Sequence, residues 1–235
     1  MKLLRTTLAG ACAAAVLVSP LAANAVTSPS QGAVGPAAAV AAAHKTSIRF
    51  LDFDRVRAYG SDIHVRGQLY VPALGGAVQG AHVRLYRQRN GHSHWAYLET
   101  RRTSIGAYPK FRFTVPASGN ATYRVVFKGN STYSRTHGDA GVDVYRTFDA
   151  SLENGSGRFH GKIAPPYRHH TVYLDRRRCA GCSWHQAESG RTSAHSRFSF
   201  TTTAPRHHKY YWRVSTPPSV RFVRSYSAVF TTTLQ

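Results

Sequence analysis

The chain repeats itself once, and what it repeats is an alternation of apolar and polar residues. One copy carries Gly67-Gln68-Leu69, His82-Val83-Arg84-Leu85-Tyr86-Arg87, Trp95, Arg102-Thr103, Phe111-Arg112-Phe113-Thr114 and Tyr123-Arg124-Val125. The other carries Gly161-Lys162-Ile163, Thr171-Val172-Tyr173-Leu174-Asp175-Arg176, Trp184, Arg191-Thr192, Phe198-Ser199-Phe200-Thr201 and Trp212-Arg213-Val214. The interval from Val83 to Trp95 equals that from Val172 to Trp184, and the copies stay offset by about 89 positions, drifting where loops are expected. A pattern of this kind is explained by duplication of one structural unit.

Inside each copy the period is two. Ile63, Val65, Gly67, Leu69 and Val71 share one strand face, and His64, Arg66, Gln68 and Tyr70 share the other. Phe111, Phe113 and Val115, and then Tyr123, Val125 and Phe127, follow the same rule, as do Val172 with Leu174, Phe198 with Phe200 and Trp212 with Val214. Alternation over short runs marks half-buried antiparallel strands. Turn residues punctuate it at Pro72 with Gly75-Gly76, Asn90-Gly91, Gly119-Asn120, Asn154-Gly155 and Pro217-Pro218. About seven short strands per copy, with turns every ten residues or so, predict an all-β fold of two antiparallel sandwiches. The predicted organisation is a signal peptide over 1–25, a disordered Ala/Gly/Pro linker over 26–45, and sandwiches over 46–146 and 147–235, with a junction near Tyr145–Thr147 too short to flex, which would hold the pair as a rod.

Both copies resemble the tandem Ig-like domain repeats of secreted and surface proteins from Gram-positive, especially actinobacterial, bacteria. The resemblance rests on Val83 to Arg87, Trp95, Phe111-Arg112-Phe113, and above all Thr122-Tyr123-Arg124-Val125-Val126-Phe127-Lys128-Gly129-Asn130-Ser131-Thr132-Tyr133. The second copy keeps the strands and Trp184 but lacks the Gly-Asn-Ser-Thr loop. The resemblance implies two Ig-like sandwiches in tandem used as spacer or adhesion modules; a fold alone does not assign a function.

The address is read from the N-terminus. Lys2 and Arg5 precede an apolar run from Leu8 to Val18, and Ala23-Asn24-Ala25 supplies a small-residue cleavage site. These are the parts of a secretion signal. The run is shorter than the roughly 20 residues a membrane span needs, and it continues past Cys12, which argues against lipid attachment there. The C-terminal Thr231-Thr232-Thr233-Leu234-Gln235 contains no sorting motif. The expected location is extracellular, with at most loose attachment to the cell wall.

Charge is the strongest compositional signal: 31 Lys and Arg against 10 Asp and Glu, a formal +21 that cleavage after Ala25 would lower by two. Such a surface attracts polyanions over a Debye length of about 8 Å at physiological salt. With no helix available for a groove and no RRM or cold-shock signature, sequence-specific nucleic-acid reading is excluded. The candidate basic face comprises Arg84 and Arg87 in the first unit and Arg176, Arg177, Arg178 and Arg213 in the second, all expected opposite the apolar faces of their strands.

Cys179-Ala180-Gly181-Cys182 sits where the first copy has the hairpin tip Arg89-Asn90-Gly91-His92. In an exported chain such a pair is expected to form a disulfide. The competing readings are a thioredoxin-like redox pair, which needs a helix N-terminus, and a metal site, for which only His185 is near. His92-x-His94, the doublets His169-His170 and His207-His208, and His195 read as a solvated surface. Asp52 and Asp54 read as surface charges near the linker. No nucleophile elbow, phosphate loop or HExxH helix is present, so neither an enzyme nor a cofactor is expected, and only a Ser–His–Asp site assembled across the fold would escape this reading.

Trp95 and Trp184, equivalently placed, read as packing residues, the alternative being sugar-stacking platforms of a carbohydrate-binding accessory module. The leading expectation is a non-catalytic structural or adhesion protein associating with anionic envelope or matrix polymers.

Overall fold

Alternation along each strand dictates which face leaves water, and pairing then sets those faces against one another. The computed structural model describes residues 42–153, 157–202 and 209–233. The expected signal peptide and residues 26–41 of the linker lie outside the described residues, as do Asn154-Gly155 and His207-His208.

In chain order the strands are β1 (Ser47–Phe53), β2 (Val56–Ala58), β3 (Asp62–Val71), β4 (Gly76–Ala77), β5 (His82–Arg89), β6 (Ala96–Arg102), β7 (Phe111–Pro116), β8 (Ala121–Phe127) and β9 (Thr136–Tyr145). They continue as β10 (Thr147–Glu153), β11 (Arg158–Ala164), β12 (Thr171–Arg177), β13 (His185–Arg191), β14 (Arg197–Thr201), β15 (Lys209–Thr216), β16 (Ser225–Tyr226) and β17 (Phe230–Thr233). A single turn of 3-10 helix at Pro72–Leu74 interrupts them.

In the first half, β3 pairs with β1, β7 and the short β4, and the second sheet runs β2-β9-β8-β5-β6 with β2 parallel to β9. In the second half, β10-β11-β14 forms one sheet and β13-β12-β15 the other, with β16 and β17 both pairing β15. With the short β2 and β4 set aside, strands one, two and five of each unit (β1, β3, β7 and β10, β11, β14) lie in one sheet and the remaining core strands in the other, which is the strand order of an Ig-like sandwich.

Two apolar clusters result. Ile63, Val65, Leu69, Val83, Leu85, Phe111, Phe113, Tyr123 and Val125 fill the first, and Phe159, Ile163, Val172, Leu174, Phe198, Phe200, Trp212 and Val214 fill the second. A register irregularity falls between Leu85 and Tyr86 in one half and between Leu174 and Asp175 in the other, at equivalent places. Gly67 and Gly161 are also equivalent, for one steric reason. A Cβ on Gly67 would stand 2.5 Å from the Arg49 carbonyl oxygen and 2.5 Å from the Phe111 ring, and one on Gly161 2.3 Å from the Asp149 oxygen and 2.7 Å from the Phe198 ring. The phenyl group occupies the space a side chain would take.

The N-terminal boundary differs from expectation. His44, assigned by composition to the linker, donates its N–H to the Thr132 carbonyl and accepts from the Ser134 N–H, each at 2.9 Å. Satisfied backbone groups tie this residue to the loop after β8.

Only Arg146 separates β9 from β10. It is 8% exposed, and its guanidinium lies 4.3 Å from the centre of the Tyr167 ring and 4.2 Å from that of Phe222. Its Nε and Nη1 atoms are buried without hydrogen-bond partners, so the two aromatic faces carry much of the charge's compensation. Burial pushes the Arg146 guanidinium below its ordinary value. Phe222, from the loop between β15 and β16, is 2% exposed and packs with the first cluster. Asn120 ties the same loop down: its N–H donates to the Arg221 carbonyl (2.8 Å), its Nδ2 to the Val220 carbonyl (3.3 Å), and its Oδ1 accepts from the Val144 N–H (2.7 Å).

Candidate functional site

The outward faces of β5, β8, β12 and β15 hold basic and aromatic side chains, part of the expected basic face among them. On β15 the inward residues are Tyr210, Trp212 and Val214, so Lys209, Tyr211 and Arg213 point the other way. Pairing of Arg177 with Tyr211 and of Asp175 with Arg213 places these side chains on the same outer face of β12. Trp184, just before β13, folds over them.

The outcome is an alternation of cations and rings. The Lys209 ammonium stands 5.4 Å from the Tyr211 ring, and the Arg177 guanidinium 5.3 Å from that ring and 4.5 Å from Trp184. The Arg213 guanidinium lies 4.2 Å from Trp184 and 3.8 Å from Tyr226. Arg213 Nε also donates to Asp175 Oδ2 at 3.2 Å, the two side chains being only 19% and 10% exposed. In the first half the stack is shorter. Arg124 lies 4.2 Å from Trp95 and donates from Nε and Nη2 to both carboxylate oxygens of Asp139, at 2.7 and 2.6 Å. These bonds hold the Asp139 carboxyl below the usual range. The tryptophans are thus half-buried on the sheet surface under guanidinium groups, and a sugar ring would have to displace them.

The six arginines of the expected basic face divide. Arg84, Arg177 and Arg213 do point away from the apolar side. Arg87 and Arg176 do not: Arg87 pairs in register with buried Tyr123, and Arg176 with buried Trp212. They close the ends of the two cores, with Arg87 Nη1 donating to Ser118 Oγ at 3.0 Å and Arg176 lying 4.7 Å from the Tyr210 ring. Arg178 is exposed beyond the end of β12.

Cys179 and Cys182 are disulfide-bonded across the β12–β13 hairpin tip, and the Cys182 N–H donates to the Cys179 carbonyl at 3.2 Å. Both sulfurs are committed to that bond, which leaves His185 without the thiolates that a metal site there would need. The His92 and His94 rings stand 6.0 Å apart. Among the described residues no three His, Cys, Asp or Glu gather at metal-binding range. Beside the disulfide an open depression of about 500 Å³ is lined by Arg178, Cys179, Ala180, Lys209, Tyr210 and Tyr211.

Asp52 and Asp54 part company. Asp52 is exposed, 3.7 Å from Arg66. Asp54 accepts from the His64 N–H at 2.8 Å and is ion-paired to Arg57. Burial raises its carboxyl, but the Arg57 and His64 hydrogen bonds outweigh that and hold it below the ordinary value. It secures the turn after β1, where a free surface charge was expected.

No family model matches the chain, and no curated protein matches it. Among solved structures it is similar to a human OSCAR ligand-binding domain, at 19% identity over 81% of this chain and 100% of that one, with a TM-score of 0.26. It is also similar to a chain of a cytokine receptor complex, at 13% identity over 77% of this chain and 96% of that one, with a TM-score of 0.38. No helix among the described residues is long and apolar enough to cross a membrane.

Proposed function

We propose that this chain is a secreted, non-catalytic structural or adhesion module of two tandem Ig-like units that associates with anionic polymers of the cell envelope or matrix. The observation that carries the reading is the fate of its carboxylates. Of the ten in the sequence, six already stand in ion pairs with arginine or histidine, and even full pairing of all ten would leave a formal excess of 21 positive charges uncancelled. The hairpin tip of the second unit is the favoured contact, because Arg178 and Lys209 project there around an open depression beside the disulfide.

Charge-driven binding to a polyelectrolyte is salt-sensitive, since each neutralised anionic group releases counterions. The processed protein should therefore be retained on isolated cell walls at low salt and released along a salt series. Retention undiminished at ~1 M salt, where the Debye length falls to about 3 Å, removes the electrostatic reading; failure to bind at low salt removes wall association altogether. The double variant Arg178→Glu/Lys209→Glu should elute at lower salt than the parent if the tip is the contact.

A further inference from the structure

The β10-β11-β14 sheet of the second unit, together with the far end of β13, holds a separate cluster of donors that the hairpin tip does not explain. β11 and β14 pair so that Arg158, His160 and Lys162 share an outer face with Arg197, Ser199 and Thr201. Arg191, at the end of β13, and Ser193, in the loop that follows, border the same surface. Arg158, His160, Arg191, Ser193, Arg197 and Ser199 line an open depression of about 510 Å³ together with the carboxylate of Glu153.

Hydrogen-bond bookkeeping there has one sign. Ser193 Oγ accepts from the His195 and Arg197 N–H groups, each at 3.2 Å, so its own proton is left to donate. Ser199 Oγ accepts from Arg158 Nε at 3.1 Å, with the same consequence. The Arg191 and Arg197 guanidiniums make no ion pair among the described residues. Glu153 approaches His160 Nδ1 at 3.3 Å, and Asp149 stands across from Lys162 on β10, so the acidic groups lie along the β10 side. Ser193, Ser199, Arg191 and Arg197 supply two hydroxyl and two guanidinium donors to the lining, in which Glu153 is the one carboxylate. Residues two apart on a strand are separated by about 6.6 Å, so the basic row of β11 suits an extended chain with regularly spaced anionic groups.

We propose that this depression is a phosphate-binding groove, in which Arg191 and Arg197 grip phosphate oxygens and the Ser193 and Ser199 hydroxyls donate to them. Guanidinium groups match phosphate geometry through paired N–H donors. The proposal deepens the polymer-binding reading by naming the group recognised and placing it where the far end of β13 borders β11 and β14, away from the disulfide tip.

The test uses the full secreted chain and inorganic tripolyphosphate, titrated calorimetrically at low salt. Arg191→Glu/Arg197→Glu is expected to weaken binding at least ten-fold, while Arg178→Glu/Lys209→Glu, at the disulfide tip, changes it less than three-fold. Ser193→Ala/Ser199→Ala, which leaves charge unaltered, is expected to weaken binding by a smaller factor. Parent-like binding by the Arg191/Arg197 variant, or equal losses in both charge-reversal variants, would overturn the groove. Circular dichroism and thermal melting identify a variant that has not folded, and Arg191→Gln/Arg197→Gln then serves in its place under the same criterion. Parent protein that binds tripolyphosphate at the groove but is not retained on cell walls would leave the groove standing and remove the envelope reading; retention on walls without tripolyphosphate binding would do the reverse.

Discussion

Arg124 and Arg213 stand at equivalent places on β8 and β15, each 4.2 Å from the ring of an equivalent tryptophan, yet they are neutralised from different directions. In the first unit the carboxylate is Asp139, on β9 and 37% exposed; in the second it is Asp175, on β12 and 10% exposed. The position of Asp175 corresponds to Tyr86, which packs edge-on against Tyr97 at 5.7 Å. The stacking geometry is common to the two units, while the counter-charge comes from whichever neighbouring strand supplies it. What differs is the cost of losing the pair, because a carboxylate stripped of its partner is penalised according to how far it sits from water.

The largest effect tests whether the units are separable at all. Phe222→Ala should cost about 3 kcal/mol or more by emptying a space in the core of the first unit. Hydrogen exchange should then accelerate in β8, although the substitution lies in the second half of the chain; a change confined to β15 would show that the ring belongs to the second core. Next in size is the arginine pair. Arg213→Ala is expected to destabilise by about 3 kcal/mol because Asp175 is left nearly buried and unpaired. Arg124→Ala should cost about 1 kcal/mol, since Asp139 can turn to solvent. Equal losses in urea unfolding would contradict the contrast just drawn.

Smaller still is the cystine. Replacing Cys179 and Cys182 by serine should lower stability by about 2 kcal/mol at most, since the closed loop is very short, and only the second unit should feel it in a thermal melt. Acidification gives the smallest change. The Asp139 carboxyl is held below its unfolded value of about 3.9, so its contribution is intact above that pH and is lost as pH falls through the lower folded value. Melting followed from about pH 5 down to 2 should show this loss in wild type and a reduced one in Asp139→Asn.

Legibility in the sequence followed periodicity. The inward residues of β3, β7, β8, β12, β14 and β15 were readable because apolar side chains recur at every second position. Arg87 and Arg176 obeyed the same count, falling two residues after Leu85 and Leu174, but charge suggested the wet face. At a strand's end the core opens, and a long guanidinium can lie along buried rings while its tip finds a hydroxyl or a π-face. The Arg–Trp stacks were half legible: matched tryptophans and matched Tyr-Arg-Val and Trp-Arg-Val segments were visible, but partner carboxylates depend on sheet order. Asp54 was misread because its value lies in a backbone N–H ten residues away. The contact of Phe222 was invisible, since Ser219 to Arg224 follows two prolines and keeps no period that would betray which core it enters.

That last contact alters what a boundary means here. The apparent division at Arg146 separates the repeats by pattern, but the first unit is plugged by a phenyl ring borrowed from the second and latched by a cation between two rings. A cut after Tyr145 would therefore release a half with an unfilled socket at its base. Parting the two halves requires drawing that ring out of the first core, a cost that falls on neither repeat alone.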